Sequence, residues 1–546
     1  MIRTATVALV FLAAPLHAQQ ITLLQTSDLH GYIYPFDYFR NRDADIGVAR
    51  VATMVESVRA EGRPVLLLDA GDTIQGSALA YVHQRKHPGP HEPTMLAMNR
   101  IGFDAMAVGN HEFNFGLEVL ERARNDASFP WLSANVVTED GGTLFEPYLV
   151  KELNGVKVGI LGLTTRAVPT WEMPENYAGL EFVDTVEAAK QYVPILLEKE
   201  GVDTVVVVTH QALERDLESG ESNKSEYENQ VYRLTKEVPG IDVILMGHAH
   251  QKVPPQELNG VILCEPGRWG DSLCRVDLHF EKDSSGKLRL SRWDGELLSA
   301  SEFESEEKVL ELGRPYHERT MAYISGVIGE AVEPLGAERA RFRDTALMDL
   351  LQQVMLEESG AQLSLAALLP YRFEGIPVGP VSVQQLLSFY PYDNTLVVLK
   401  VTGRDVKEAL EHSAGYYKHA VLDAETGRLV IELDPLVRAY NFDMLAGADY
   451  RIDPTRPVGD RIRELSYQGR KMDLEQEFTL VTTNYRAAGG GGYKMLTDAE
   501  ILWRSSEEVR NLLIEHVAQE GTIVPSCDFN WYVAPESHPR PTSDQF

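Results

Sequence analysis

From residue 21 to about residue 266 the chain repeats one pattern: a short run of apolar, largely β-branched residues, then polar or Gly-rich residues, then a stretch with helical spacing. The runs are ITLLQTSD, PVLLLDAGD, FDAMAVGNHE, VKVGILGLTT, DTVVVVTHQ, DVILMGHAH and GVILCEP. None alternates apolar with polar residues, which is the pattern of strands buried on both faces in an α/β sheet covered by helices. Residues 48–61 and 185–200 carry the spacing of crossover helices. Further along, residues 345–358 read as a helix. NTLVVLKVTGRDVKEALEHS reads as a strand entering a helix with Thr402 as N-cap, and EFTLVTTNYRAAGGGGY as a strand ending in a glycine loop. This second half predicts a mixed α+β domain. Residues 301–336, which open on a charged stretch, read as a connector helix; a solvated helix of the first domain fits its first half equally well.

A length of 546 residues, at roughly 100 to 250 per domain, asks for at least two domains. The expected division is 1–18, 19–300, 301–336, 337–534 and a tail at 535–546. Residues 1–18, with Arg3, an apolar run over 5–16 and the small Ala18, have the pattern of a signal peptide cleaved near Ala18. The run is too short to span a bilayer, and nothing later offers about 18 uninterrupted apolar residues, so a soluble exported protein with no membrane partner is expected. A net charge of −30 argues against a nucleic acid polymer, which is bound by Lys and Arg. A small anionic substrate then needs a local positive centre, and bound cations supply one. Of the three cysteines, Cys264 and Cys274 stand at the two ends of a predicted strand-turn-strand region, where pairing and free thiols are both open.

The residues able to hold such cations fall at the carboxyl ends of the apolar runs: Asp28 and His30, Asp72, Asn110 and His111, His210, then His248 and His250. That edge is where open α/β sheets bind ligands. Imidazole and carboxylate suit divalent metals that activate water for phosphate ester hydrolysis, and a shared carboxylate lets two ions lie roughly 3.5 to 4 Å apart. D-x-H and H-x-H, on extended strands, are expected to send both side chains to one face. Gly71, Gly109 and Gly247 are expected to permit sharp turns beside the site.

ITLLQTSDLHG, DAGDTIQGS and VGNHEFNFG resemble the calcineurin-like metallophosphoesterases, in particular their bacterial nucleotidase branch. The resemblance implies a four-layer α/β/β/α core and two divalent ions, with Zn, Mn, Co and Fe equally suited. Asp28, His30 and His250 would hold the first, Asp72 would bridge, and Asn110, His210 and His248 would complete the second. A hydroxide bridging the ions would attack phosphorus in line. His111 would face the phosphoryl oxygens, to steady charge or protonate the leaving alkoxide. The 5′-nucleotidases of this branch carry Asp where this chain has Asn114, so Asn114 would orient His111 as a neutral amide.

Two tyrosines in loop-like settings, Tyr392 and Tyr485, are candidates for stacking a nucleobase, a contact that contributes about 1 to 3 kcal/mol per base. Their surroundings, with RAYNFDMLAGADYRID and GDRIRELSYQGRKMD, resemble the 5′-nucleotidase-type C-terminal domain of periplasmic 2′,3′-cyclic-nucleotide 2′-phosphodiesterase/3′-nucleotidases. The Asn-Gly-Gly-x-Arg stretch of 5′-nucleotidases is replaced here by LSLAALLPYRFEG. Arg372 and Arg486 are candidate substrate contacts, with a solvated surface charge the alternative for each. The expectation is a periplasmic, monomeric enzyme that acts on small-molecule nucleotides across a cleft hinged at the connector. The alternatives are a 5′-nucleotidase or nucleotide-sugar hydrolase and, from another class, a non-catalytic nucleotide-binding surface protein.

Overall fold

Successive side chains of one strand enter different cores, and that division builds the first domain. In the computed structural model, Leu23, Leu66 and Leu68 point into a core between two sheets, while Leu24 and Leu67 point outward under helices. In the second sheet Val206 and Val208 join the shared core, and Val205 and Val207 meet helices on the far side. Each fully buried Val or Leu contributes about 1.5–3 kcal/mol, so both faces of every central strand must be covered. Two six-stranded sheets face each other with helices outside both, the four layers expected. The structure describes residues 19–535 apart from 218–219, 223–224, 371–372, 393, 424–428 and 436. The expected signal peptide, residues 536–546 of the tail, and Arg372 lie outside the described residues.

The first sheet runs in the order Leu288–Ser299, Ser272–Lys282, Gln19–Thr26, Val65–Asp69, Ala105–Ala107, Trp131–Leu132; the last four are mutually parallel. The second runs Lys252–Leu258, Val261–Pro266, Val243–Met246, Thr204–His210, Val156–Thr164, Tyr148–Leu153. Parallel pairing puts the carboxyl ends of neighbouring strands on one edge. Helix Val48–Arg59 buries Val48, Val51, Ala52, Val55 and Val58, the three-and-four spacing of one helical face. The expected helix over 185–200 starts at Asp184, whose Oδ1 accepts from the amides of Val186 and Glu187 (3.0 and 3.3 Å). It passes through Pro194 into a widened π-helical turn, Ile195–Glu200, and stops at left-handed Gly201. Cys264 and Cys274 are joined as a disulfide, and Cys527 is free.

Of the expected connector, helix Glu307–Ile324 lies against Val48–Arg59 and Pro93–Ile101 of the first domain. Strand Val327–Ala331 already pairs in the second domain, with Gly379–Ser382 and Thr522–Ile523. That domain is mixed α+β, around a five-stranded sheet in the order Asp443–Ala446, Leu363–Ala367, Glu477–Thr483, Thr395–Thr402, Glu500–Glu508. Thr402 is the expected N-cap: its hydroxyl accepts from the Asp405 amide while Asp405 accepts from the Thr402 amide, a capping box. Among the described residues no helix is long and apolar enough to cross a membrane.

Candidate metal centre and substrate cleft

Six of the seven candidate ligands converge in two groups. Asp28, His30 and His250 form one group with ligand atoms within 4.8 Å of one another, and Asp72, His210 and His248 form another. Their backbone departs from expectation. Asp28 and His30 follow the strand Gln19–Thr26, and His248 and His250 follow Val243–Met246, so neither pair stands on extended strand. Five ligands occupy the left-handed region instead: Asp28 (φ 52°), His30 (49°), Asp72 (60°), His248 (81°) and His250 (58°). The chain has left the sheet and curls back on itself, and the curl, not strand alternation, brings each pair together. Among the three expected glycine turns, Gly71 has positive φ (97°). Gly109 and Gly247 serve close approach: a Cβ on Gly109 would lie 2.2 Å from Asp72 Oδ1, and one on Gly247 2.1 Å from Ser27 Oγ.

Hydrogen bonds set which nitrogen each histidine offers. His30 Nδ1 donates to the Gln75 carbonyl (2.6 Å) and His210 Nδ1 to the Ala70 carbonyl (2.7 Å), so both present Nε2 to the site. His248 spends Nε2 on Glu228 Oε1 (2.5 Å) and turns Nδ1 to within 3.2 Å of His210 Nε2. His250 Nε2 lies 3.1 Å from His30 Nε2 and 3.2 Å from Asp28 Oδ1. Burial pushes the Asp28 and Asp72 carboxyls up, but the charges of His250 and His210 respectively outweigh it and hold both below the usual carboxylate range. Burial also opposes charge on His210, yet Asp72 pushes its pKa up to about 10, and burial with the charge of His250 pushes His30 down to about 3.

These residues fit divalent cations. His210 Nε2 lies 3.2 Å from His248 Nδ1 and 2.9 Å from Asp72 Oδ2, so two imidazole nitrogens and a carboxylate oxygen, the donor set that suits a divalent cation, meet at one point. Oδ1 of Asp28, 3.2 Å from His250 Nε2, and Oδ1 of Asn110 are both buried without a well-aligned hydrogen-bond donor among the described residues.

Glu112, to which sequence reasoning gave no role, is the clamp of the site. Wholly buried, it accepts from the amides of Asp72 (2.9 Å), Thr73 (2.6 Å) and Gly109 (2.8 Å) and from the Thr73 hydroxyl (2.9 Å). It thereby ties the loop of Asp72 to the loop of Asn110. His111 donates its amide to Asp72 Oδ1 (2.8 Å), and its Nδ1 meets Asn114 Oδ1 (2.5 Å), the orienting bond expected.

A cleft of ≈ 890 Å³ opens from His30, His111 and His250 toward Tyr392 and Tyr440 of the second domain, with Arg268 on its wall. Adjoining it, a pocket of ≈ 210 Å³ is lined by Tyr390, Tyr392, Tyr440 and Tyr485. Tyr392 and Tyr485 are thus brought to one pocket, and Tyr440, which no local pattern marks, joins them. Arg486 is not the solvated charge considered as one alternative: it is buried, bonded to Asp443 (2.7 and 2.8 Å) and to the carbonyls of Tyr440 and Gly490 (2.6 and 2.9 Å). It braces the pocket wall.

Comparison with known proteins matches one family in each half of the chain. Residues 21–252 match the calcineurin-like phosphoesterase family and residues 327–498 the 5′-nucleotidase C-terminal domain. The chain is 30% identical, over 97% of its length, to the 2′,3′-cyclic-nucleotide 2′-phosphodiesterase/3′-nucleotidase of Salmonella typhimurium, of which it covers 92%. It is also 30% identical to the trifunctional nucleotide phosphoesterase YfkN of Bacillus subtilis, over 97% of this chain but 40% of that longer protein. A crystal structure of a Staphylococcus aureus protein described as a 5′-nucleotidase, in complex with alpha-ketoglutarate, superposes with a TM-score of 0.81 at 29% identity, covering 94% of this chain and 99% of that one.

Proposed function

Since the chain belongs to the nucleotidase family that joins a calcineurin-like phosphoesterase to a 5′-nucleotidase C-terminal domain, and is a phosphoric ester hydrolase of that family, we propose that it opens 2′,3′-cyclic nucleotides at the 2′ bond and then removes the 3′ phosphate. The observation that carries this reading is the continuity of the cleft, from His30 and His250 of one metal-ligand group at one end, with His111 beside them, to a tyrosine-lined pocket at the other. A nucleotide has that polarity: a phosphoryl group for cations and a flat base for aromatic rings.

When bound, the divalent cations supply positive charge for the phosphoryl oxygens and activate water as the nucleophile. The protein's own residues do the rest. His30 and His210 are locked by backbone carbonyls so that Nε2 points inward, and Asp72, beside His210, would be the carboxylate that the two ligand groups share. His111, about one-third exposed and bordering the cleft, faces the phosphoryl position and, with both ring nitrogens protonated, can hand the Nε2 proton to the leaving alkoxide. Tyr392 and Tyr485 stack the base, and the Arg486–Asp443 pair behind them keeps that wall rigid. Export to the periplasm is part of the proposal, and the Cys264–Cys274 disulfide, which suits an oxidising compartment, supports it.

The test is phosphate release from adenosine 2′,3′-cyclic phosphate, 3′-AMP and 5′-AMP, each with Mn²⁺, Co²⁺ or Zn²⁺. The proposal expects the cyclic and 3′ esters to be preferred. The likeness to the Staphylococcus aureus structure favours 5′-nucleotidase as the second reading, and preference for 5′-AMP establishes it in place of the first.

A further inference from the structure

We infer that Glu172 is a positioning residue that, through Asn114, fixes which nitrogen of His111 faces the metal site; the inference rests on the phosphoesterase reading of that site. An asparagine amide can be turned two ways with almost the same shape, and only its neighbours decide which end is oxygen. Here the neighbour is a carboxylate that only accepts. Glu172 Oε1 takes the Met173 amide (2.7 Å) and Asn176 Nδ2 (2.8 Å), and Oε2 takes Asn114 Nδ2 (2.5 Å). With its NH₂ committed to Glu172, Asn114 turns Oδ1 to His111 Nδ1 (2.5 Å). A carbonyl oxygen cannot donate, so the Nδ1 position carries the proton and Nε2 is the atom turned toward Asp72 Oδ2, 3.9 Å away.

Two further contacts hold this chain of bonds in place. Asn176 Nδ2 also reaches the Asn114 carbonyl (3.2 Å), bracing both ends of the relay. Next to Glu172, the Trp171 carbonyl accepts Asn484 Nδ2 (2.6 Å), so the segment is pinned to the second domain beside Tyr485. Glu172 is 7% exposed, and nothing in its bonding is a loose surface contact. The carboxylate that the 5′-nucleotidase branch carries at position 114 is thus present in this chain one side chain further back.

The experiment compares the full-length wild type, Glu172→Gln, Asn114→Asp and the double variant, all loaded with Mn²⁺. Readouts are kcat and KM for 3′-AMP, bound metal, melting temperature and the ¹⁵N shifts of His111 in histidine-labelled protein. An amide at position 172 can offer NH₂ back to Asn114 and let it turn over. The expected result for Glu172→Gln is therefore a fall in kcat of about ten- to a hundredfold, with KM and metal content unchanged, and a mixture of His111 tautomers. Asn114→Asp alone sets two carboxylates against each other and lowers kcat. In the Glu172→Gln background the same change restores kcat, because a direct carboxylate no longer needs Glu172. Equal kcat in Glu172→Gln and wild type, unchanged ¹⁵N shifts, or no restoration in the double variant overturns the inference. Should Glu172→Gln fail to fold, Asn114→Asp decides: a raised kcat overturns it. If the wild type releases no phosphate from any nucleotide, the functional reading fails, and the ¹⁵N shifts still judge the role of Glu172.

Discussion

Asp72 uses both its oxygens: Oδ2 lies 2.9 Å from His210 Nε2, and Oδ1 accepts the His111 amide. Asp72→Asn keeps the shape but removes the charge that two cations would share. Phosphate release should fall to background while the circular dichroism spectrum and melting temperature stay close to wild type. Gly109→Ala should act differently, because its methyl would meet Asp72 Oδ1 at 2.2 Å and the Asp72 amide at 2.6 Å. The loop must move, so bound metal, read by elemental analysis, should drop together with activity. The cluster of Asp28, His30, Asp72, His210, His248 and His250 was legible in sequence because metal-binding residue types recur at the ends of several of the apolar runs. Glu112, Glu172, Glu228 and Tyr440 were not. Glu112 bonds residues 39 and 40 positions away, and Glu172 bonds Asn114 across 58 positions, with nothing in the local pattern to announce either partner.

Among the elements, the helices were read well wherever one face was apolar. Val48–Arg59 follows from its buried stripe, and Gly403–Ala414 from its cap. Thr402→Ala should cost about 1 kcal/mol of second-domain stability, measurable by urea unfolding. The ligand turns were misread as strand because alternation describes a sheet, and these residues lie past its end. Helix Ala346–Ser359 begins beside an acid cluster: Asp344, buried, and Asp349 meet Cys527 and the Asp528 amide. Burial, then the charge of Asp349, pushes Asp344 up to about 8; burial, then the charge of Asp528, pushes Asp349 up to about 6. In the unfolded chain both titrate near 3.8, so between that value and about 8 the folded protein holds the extra protons. Stability should therefore decline as pH rises through this window. Asp344→Asn should flatten the decline and raise the melting temperature at pH 8 by about 2–4 °C per kcal/mol recovered.

At the scale of the whole molecule, the two domains enclose one cleft, and the disulfide lies in its supporting wall. Cys264–Cys274 closes the loop that carries Arg268 and Trp269, and the Trp269 amide donates to the Asp28 carbonyl (2.7 Å). Reduction, or Cys264→Ser with Cys274→Ser, should lower unfolding stability by roughly 2–4 kcal/mol and weaken metal retention at the Asp28 group. The bent backbone at Asp28, His30, Asp72, His248 and His250 has a further consequence. Because those kinks are cast by the fold itself, with Asp28 donating its amide to the Gly71 carbonyl and His30 to the Asp72 carbonyl, the receptacle exists before any cation arrives. Chelated protein should retain its far-ultraviolet spectrum, and manganese returned to it should revive catalysis within mixing time, as a key turns in a lock already cut.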